Sequence, residues 1–396
     1  MTAGDLPKGF RAGAAAANFK KAGRDDLGLV VSEFPCAVAG LFTQNAFRAA
    51  PVQVCREILR KGKPVRAVLA NAGQANACTG GQGLDNCRTT QRMVAEKTGL
   101  APEEILPLST GVIGRQLPMD RWAAAVPELV NSLGARDAEG FARAFMTTDA
   151  FPKFAARDLD LGSGQVRLTV MAKGAGMICP DMATMLCVAL TDAAVERRLW
   201  QAMFRRAVNK TFNRVSVDGD TSTNDTILGL ANGASGISVG AEADIVLFEE
   251  ALGEILGDVA YMLVKDGEGA SKVIHIRVKG ARNDADAELA ARSVGHSQLV
   301  KTAIYGGDAN WGRIVTAVGY SGAAFKPVDV SLALCGIERF SRGQPVNDDR
   351  EEDLARLLKA VDIHVDITLG DGPGAYMFLA SDLGHEYVSL NAEYRS

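Results

Sequence analysis

Histidine is scarce in this chain, with four in 396 residues, and His275, His296, His364 and His385 lie far apart along it. No GxSxG-type serine accompanies them, which argues against a Ser-His-Asp triad and against a histidine-built metal site. Proton shuttling, if the chain is an enzyme, must then come from a group other than imidazole. Cysteine is odd in number, at seven, and Cys36, Cys55, Cys78, Cys87, Cys179, Cys187 and Cys335 show no CxxC spacing. Neither a disulfide framework nor a zinc knuckle is indicated, and the thiols read as small buried apolar residues. No apolar run approaches the roughly 18 residues of a membrane span. The first twenty residues lack the apolar segment of a secretory signal, so a cytoplasmic location and no membrane partner are expected. Lys plus Arg number 43 against 47 Asp plus Glu, and without a basic excess nucleic acid is not an expected partner.

Phosphate-binding signatures are missing too. Gly174-Ala175-Gly176 is not followed by the third glycine of a dinucleotide fingerprint, and no GxxxxGK[ST] occurs. The run Asp218 to Asn224 resembles a calcium loop but has Thr223 where the sharp-turn glycine belongs and Gly229 where a bidentate glutamate belongs. It reads as a hydrogen-bonded turn, with support of a neighbouring site as the other reading. No metal and no resident cofactor are expected.

What is present is a globular balance of 47% apolar and 23% charged residues, punctuated by 42 glycines. The length allows two or three lobes or one large α/β body. LGLVVSE (27–33), RAVLAN (66–71) and ILPLST (105–110) read as strands, and Asp85 to Lys97 and Asp120 to Leu133 as helices. Ala193 to Asn209 reads as an amphipathic helix with Val195, Leu199, Ala202 and Met203 on its buried face, and Arg206 as an exception that must snorkel. Ala243 to Lys265 and Asp349 to Val361 are further helices. KVIHIRVKG, RIVTAVGY, VDVSLALCG, IHVDITLG and YMFLASDLG read as C-terminal strands. Neither an internal repeat nor a Pro/Ser-rich linker is found.

The segment from Lys173 to Leu186 is a glycine-rich loop containing Pro180, which delivers Thr184 to the start of an apolar strand, Met185 to Leu190. Such a loop can present a strained peptide bond to a threonine hydroxyl. A threonine freed at a chain end carries an α-amine that titrates near 7.7–8.0, within reach of its own hydroxyl, so that one residue supplies nucleophile and base. On residue type alone, most threonines before apolar strands simply begin the strand.

KGAGMICPDMATML closely resembles the autocleavage segment of the ornithine acetyltransferase family, also called the glutamate N-acetyltransferase or ArgJ family. The resemblance extends through NAGQANACTGGQGLDNC, LSTGVIGRQLPMD, FMTTDAFPK, NRVSVDGDTSTNDT, KDGEGASK, YGGDANWGRI and the terminal NAEYRS. It implies an α/β architecture like that of self-processing aminopeptidases of the DmpA type, with two lobes of mixed sheets flanked by helices and the active cleft between them. It implies cleavage between Ala183 and Thr184 into an alpha chain, 1–183, and a beta chain, 184–396, assembled as an α2β2 heterotetramer. By resemblance Thr184 is the nucleophile, Thr110 and Gly111 are the oxyanion donors, and Thr147, Lys173, Thr184, Glu268, Asn391 and Ser396 contact substrate. The implied reaction moves an acetyl group from N2-acetylornithine to glutamate by a ping-pong route. Acetyl-coenzyme A is a second donor in some members, and nothing in the residues decides it here. Ala72 and Asp181 stand where related sequences often have Ser and Asn, which bears on efficiency and donor preference. A self-generated threonine amidohydrolase or aminopeptidase, and an inactive binding protein on the same fold, are the alternatives.

Overall fold

The computed structural model describes residues 6–19, 23–179 and 185–393. Fifteen strands are formed among these residues: β1 Phe10–Ala15, β2 Leu27–Phe42, β3 Val65–Asn71, β4 Ile105–Ser109, β5 Lys153–Leu161, β6 Gly164–Lys173, β7 Leu186–Thr191, β8 Val215–Ser216, β9 Thr226–Ala231, β10 Val273–Ala281, β11 Ser331–Leu334, β12 Ile337–Ser341, β13 Gln344–Pro345, β14 Asp362–Thr368 and β15 Gly374–Ser381. The α-helices are α1 Ala50–Lys61, α2 Gly80–Thr98, α3 Met119–Asn131, α4 Ala138–Ala144, α5 Arg197–Lys210, α6 Glu242–Lys265, α7 Asp284–His296, α8 Gln298–Gly306, α9 Trp311–Gly319, α10 Glu351–Leu357 and α11 His385–Glu393. The chain divides into two compact units. One takes the described residues up to Asn213 together with Asp220–Leu263, and the other takes Arg214–Gly219 and the residues from Val264 onward.

The first unit is built on an eight-stranded mixed sheet in the order β4-β3-β2-β9-β7-β6-β5, with β1 beside β2. β2 serves both halves: it pairs with β3 from Leu27 to Val31 and, after a register break, at Cys36, and from Ala37 to Phe42 it pairs with β9. The strands β7 and β9 are buried at every position, which is why their sequences run apolar without alternation. One core joins Val30, Val68 and Leu106 with Met171, Val188 and Leu228, and includes Val54 of α1 and Phe141 of α4. Helix α1 starts with Pro51 in its first turn and stops at Gly62, which takes the left-handed conformation.

The second unit holds a seven-stranded mixed sheet, β13-β12-β11-β14-β10-β15-β8. Its core packs Ile274, Ile276, Val365 and Phe378 of the sheet against Ala287, Ala291 and Val294 of α7 and Ile314 and Val318 of α9.

Several sequence expectations need correction. RIVTAVGY is not a strand but α9. Ile, Val and Thr favour strands, yet Ile314, Ala317 and Val318 are buried at helical spacing, and the Asn310 side chain caps the first turn by accepting from Arg313 N–H. In α5 the buried face is Trp200, Met203, Phe204, Ala207 and Val208. Of the expected face Met203 is buried, Val195 is buried but precedes the helix, Leu199 is half-buried and Ala202 is exposed; Arg206 is exposed and paired with Glu249 at 2.6 Å instead of snorkelling. The third expected helix shortens to α10. Among the described residues no disulfide is formed, and Cys78 is exposed and Cys36 and Cys335 half-buried instead of buried. Among the described residues no helix is long and apolar enough to cross a membrane.

Candidate active site

Thr110 and Gly111 follow the end of β4, which lies parallel to β3. The two strand ends are stitched together: Thr110 N–H donates to Asn71 O at 3.0 Å, Val112 N–H to Gly73 O at 3.1 Å, and Ala75 N–H to Val112 O at 3.0 Å. Gly111 has φ +130°, and a Cβ there would lie 2.3 Å from the Gly73 carbonyl carbon. Only glycine permits this approach of two backbones.

Lys173 closes β6 and is 9% exposed. Its ammonium donates to Thr147 Oγ1 at 2.8 Å and to Thr110 Oγ1 at 3.2 Å. An ammonium has no acceptor capacity, so both hydroxyls accept from it and each keeps its own hydrogen to point elsewhere. Two of the oxyanion and substrate residues assigned by resemblance are therefore held by a third. Asp149 balances the charge: Oδ1 accepts from Lys153 Nζ at 2.6 Å and from Gly174 N–H at 2.7 Å, and Oδ2 accepts from Thr147 N–H at 2.9 Å. Burial favours the neutral acid, but Lys173, Lys153 and these hydrogen bonds outweigh it and hold the carboxyl well below the usual carboxylate range.

The polar run suspected of resembling a calcium loop is, over residues 221–225, a hydrogen-bonded loop pinned to the same place. Asn224 Nδ2 donates to Ala75 O at 2.5 Å and Ser109 O at 2.8 Å, and Thr221 Oγ1 donates to Cys179 O at 3.0 Å. Thr226 N–H donates to Met185 O at 2.9 Å. Asp225 is 1% exposed, and burial pushes its carboxyl well above the ordinary range. Two ammonium groups and one ionised carboxylate leave this end of the unit suited to an anionic substrate group.

In the second unit, Asn391 Nδ2 donates to Glu268 Oε2 at 3.0 Å. The turn carrying Glu268 packs against the first turn of α11, since a Cβ on Gly269 would lie 2.5 Å from Tyr387 N. Ser271 and Lys272 anchor the same turn through their N–H groups to Asp382 Oδ1 at 2.8 and 3.1 Å. The cleavage-site residues Ala183 and Thr184, and Ser396, lie outside the described residues.

Sequence reasoning did not single out Asp149 or Asp225, although both lie in the quoted segments, and it reached Asn224 only as the end of the polar run. The available signal was an acidic side chain set directly before an apolar strand, as Asp225 precedes TILGLA. His275 and His364, far apart in sequence, face each other across the β10 and β14 register with ring centroids 4.7 Å apart, and His275 Nε2 lies 2.8 Å from Asp362 Oδ1.

The ArgJ family model matches residues 11–396. The arginine biosynthesis bifunctional protein ArgJ of Nitratidesulfovibrio vulgaris is 58% identical over 390 residues, covering 98% of this chain and 99% of that one. The protein of the same name from Geobacter sulfurreducens is 46% identical over 392 residues, covering 98% and 99%. Among solved structures, ArgJ from Bacillus halodurans shares 38% identity with a TM-score of 0.49, covering 51% of this chain and 96% of that chain. Ornithine acetyltransferase complexed with ornithine, from Mycobacterium tuberculosis, shares 38% identity with a TM-score of 0.42, covering 46% and 98%. Matched by the family model over nearly its whole length, and by relatives over nearly all of theirs, the chain belongs to the ArgJ family.

Proposed function

We propose that this protein is a glutamate N-acetyltransferase of arginine biosynthesis, acting through an acetyl ester on Thr184. The precursor first cuts itself. The Thr184 hydroxyl attacks the Ala183 carbonyl, the amide nitrogen leaves as the protonated amine, and water hydrolyses the resulting ester to free the hydroxyl again. In the mature enzyme Thr184 Oγ attacks the acetyl carbonyl of N2-acetylornithine while its α-amine takes the hydroxyl proton. The tetrahedral oxyanion is met by the Thr110 hydroxyl and the Gly111 N–H. Collapse returns the proton to the departing ornithine amine and leaves acetyl on Thr184. Glutamate then attacks the ester through its own amine, and N-acetylglutamate leaves.

The observation that carries this reading is the Lys173 ammonium shared by Thr110 and Thr147. It forces the Thr110 hydroxyl to aim its hydrogen away from the lysine, which is what a donor to an oxyanion requires, and it offers a cation to a substrate carboxylate. Glu268, held by Asn391, is a counter-charge of the kind the ornithine side-chain ammonium needs. Acetyl-coenzyme A as a second donor, an α2β2 assembly of the cleaved chains, and a cytoplasmic location belong to the same proposal. The amidohydrolase alternative differs only in the acceptor, water in place of glutamate.

Intact-mass spectrometry after incubation with N2-acetylornithine, without glutamate, tests the proposal. One added acetyl group on the fragment 184–396, discharged by adding glutamate, is the expected result. Acetate release without glutamate would instead establish the hydrolase, and full activity in an uncleaved chain would refute the mechanism.

A further inference from the structure

Helix α6 ends at Lys265, and a short turn leads from it into β10. Gly267 N–H donates back to Val264 O at 3.1 Å, and Ala270 N–H donates to Gly267 O at 2.8 Å, which closes the turn over Glu268 and Gly269. Gly269 has φ +68°, a left-handed conformation that suits glycine at the third position of a turn. The far arm is held by one side chain. Asp382 Oδ1 accepts from Ser271 N–H at 2.8 Å and from Lys272 N–H at 3.1 Å, and Oδ2 accepts from the Ser271 hydroxyl. Asp382 N–H donates in return to Lys272 O at 3.2 Å.

Asp382 directly follows Ser381, the last residue of β15, which pairs with Val273 at the start of β10. Leu383 N–H donates to Lys301 O at 3.3 Å, so the chain is also fixed on leaving Asp382, and α11 begins soon after at His385. That helix carries Asn391, whose Nδ2 donates to Glu268 Oε2 and to Tyr387 O, both at 3.0 Å. The Glu268 carboxyl is therefore held from α11, and the backbone next to it is held from the residue that leads into α11. Asp382 is 3% exposed, whereas Glu268 is half-buried and Asn391 exposed. The aspartate is out of reach of a ligand and acts on one only through the turn.

We propose that Asp382 is a positioning residue for substrate selection: by fixing Ser271 and Lys272 against the root of α11 it keeps Glu268 and Asn391 in register, and with them the preference for an acetyl donor whose side chain ends in an ammonium group. The proposal rests on the functional reading above, in which Glu268 faces the ornithine ammonium. A charge-assisted hydrogen bond is strong only at good geometry, and a misplacement of about 1 Å can cost on the order of 10²-fold. Hydrogen bonding by Asp382, and not its charge, carries the effect. An asparagine in its place can accept both N–H groups on Oδ1 and donate to Ser271 Oγ from Nδ2.

The test compares kcat and KM for N-acetylglutamate formation from N2-acetylornithine and from N2-acetylnorvaline, which has the same carbon chain without the terminal ammonium. Asp382→Ala is expected to lower the preference for N2-acetylornithine about 10–100-fold, chiefly through KM for that donor, and to leave N2-acetylnorvaline near its wild-type kcat/KM. Asp382→Asn keeps the preference. Glu268→Gln loses it, and adding Asp382→Ala to Glu268→Gln gives no further fall, because the aspartate acts through the glutamate. Equal falls for both donors, additive falls in the double variant, a wild type indifferent to the ammonium, or a loss in Asp382→Asn as large as in Asp382→Ala overturns the proposal. Should Asp382→Ala not fold, Ser271→Ala decides: removal of one of the bonds is expected to lower the preference about two- to tenfold, and an unchanged preference overturns the proposal. A wild-type enzyme that forms N-acetylglutamate from neither donor defeats the functional reading itself, and the proposal with it.

Discussion

Lys173 Nζ lies 3.2 Å from Thr110 Oγ1, across 63 residues of sequence, and the direction of that bond is fixed because an ammonium can only donate. The threonine hydrogen is left for another acceptor. Thr110→Val keeps the side-chain shape and removes the hydroxyl. Turnover in the glutamate-dependent assay is expected to fall on the order of 10²–10³-fold, with a smaller change in KM, since the oxyanion exists only along the reaction path. Wild-type turnover in this variant would remove Thr110 from the mechanism.

Gly111→Ala should damage the fold as well as the chemistry. The new methyl would lie 2.3 Å from a Gly73 backbone atom at φ +130°, so the strand ends that carry the site must separate. A loss of about 3 kcal/mol or more is expected from strain and clash together. Gly114→Ala is the control, with φ +81° and open space around its Cβ, and about 1 kcal/mol is expected from strain alone. Urea unfolding midpoints of the two variants compare the effects directly.

Thr184→Ala should give a single uncleaved chain without transferase activity, whereas Thr184→Ser, which keeps a hydroxyl, should retain part of both processing and transfer. A denaturing gel beside the activity assay reads both. Cleavage of the alanine variant at the same bond would disprove self-processing by this residue.

Lys301 of α8 is 4% exposed and donates to Val217 O at 2.8 Å, to Ser381 Oγ at 3.2 Å and to Ser381 O. Burial pulls its pKa down to about 8, against the opposing charges of Asp382 and Asp218. The folded value lies below the roughly 10.4 of an unfolded lysine, so the folded state holds fewer protons between the two. The stability linked to this group is complete above pH 10.4 or so, falls as pH drops through that window, and is lost below about 8. Unfolding free energies of wild type and Lys301→Met at pH 7.5 and pH 10 should therefore differ in slope, with wild type gaining on the order of 2 kcal/mol relative to the variant at the higher pH. Parallel behaviour would show that the lysine holds an ordinary charge.

Much of the fold was legible where one physical requirement dominates. β7 is apolar because it is buried at every position, and the period of α2 and α3 reads directly as helix. α9 was misread because β-branched residues favour a strand locally, while burial of Ile314, Ala317 and Val318 along one face, with the Asn310 cap, favours a helix. The face of α5 was misjudged in part for a similar reason: Trp200 and Phe204, buried in the structure, carry far more apolar area than Leu199 or Ala202, and area decides which side turns inward.

The pattern of glycines, strands and helices in the sequence indicated an α/β protein, and its resemblance to the ArgJ family implied where it is expected to be cut and which threonines, lysine and glycine to watch. Sequence carries that much because residue type fixes what each group can donate, accept or attack. Only tertiary structure decided that one ammonium serves Thr110 and Thr147, that Gly111 is pressed against Gly73, and that Asp225 loses its water at the start of β9. Those are facts of distance and burial between segments far apart along the chain, and charge, solvation and hydrogen-bond direction acquire their values only when such segments meet.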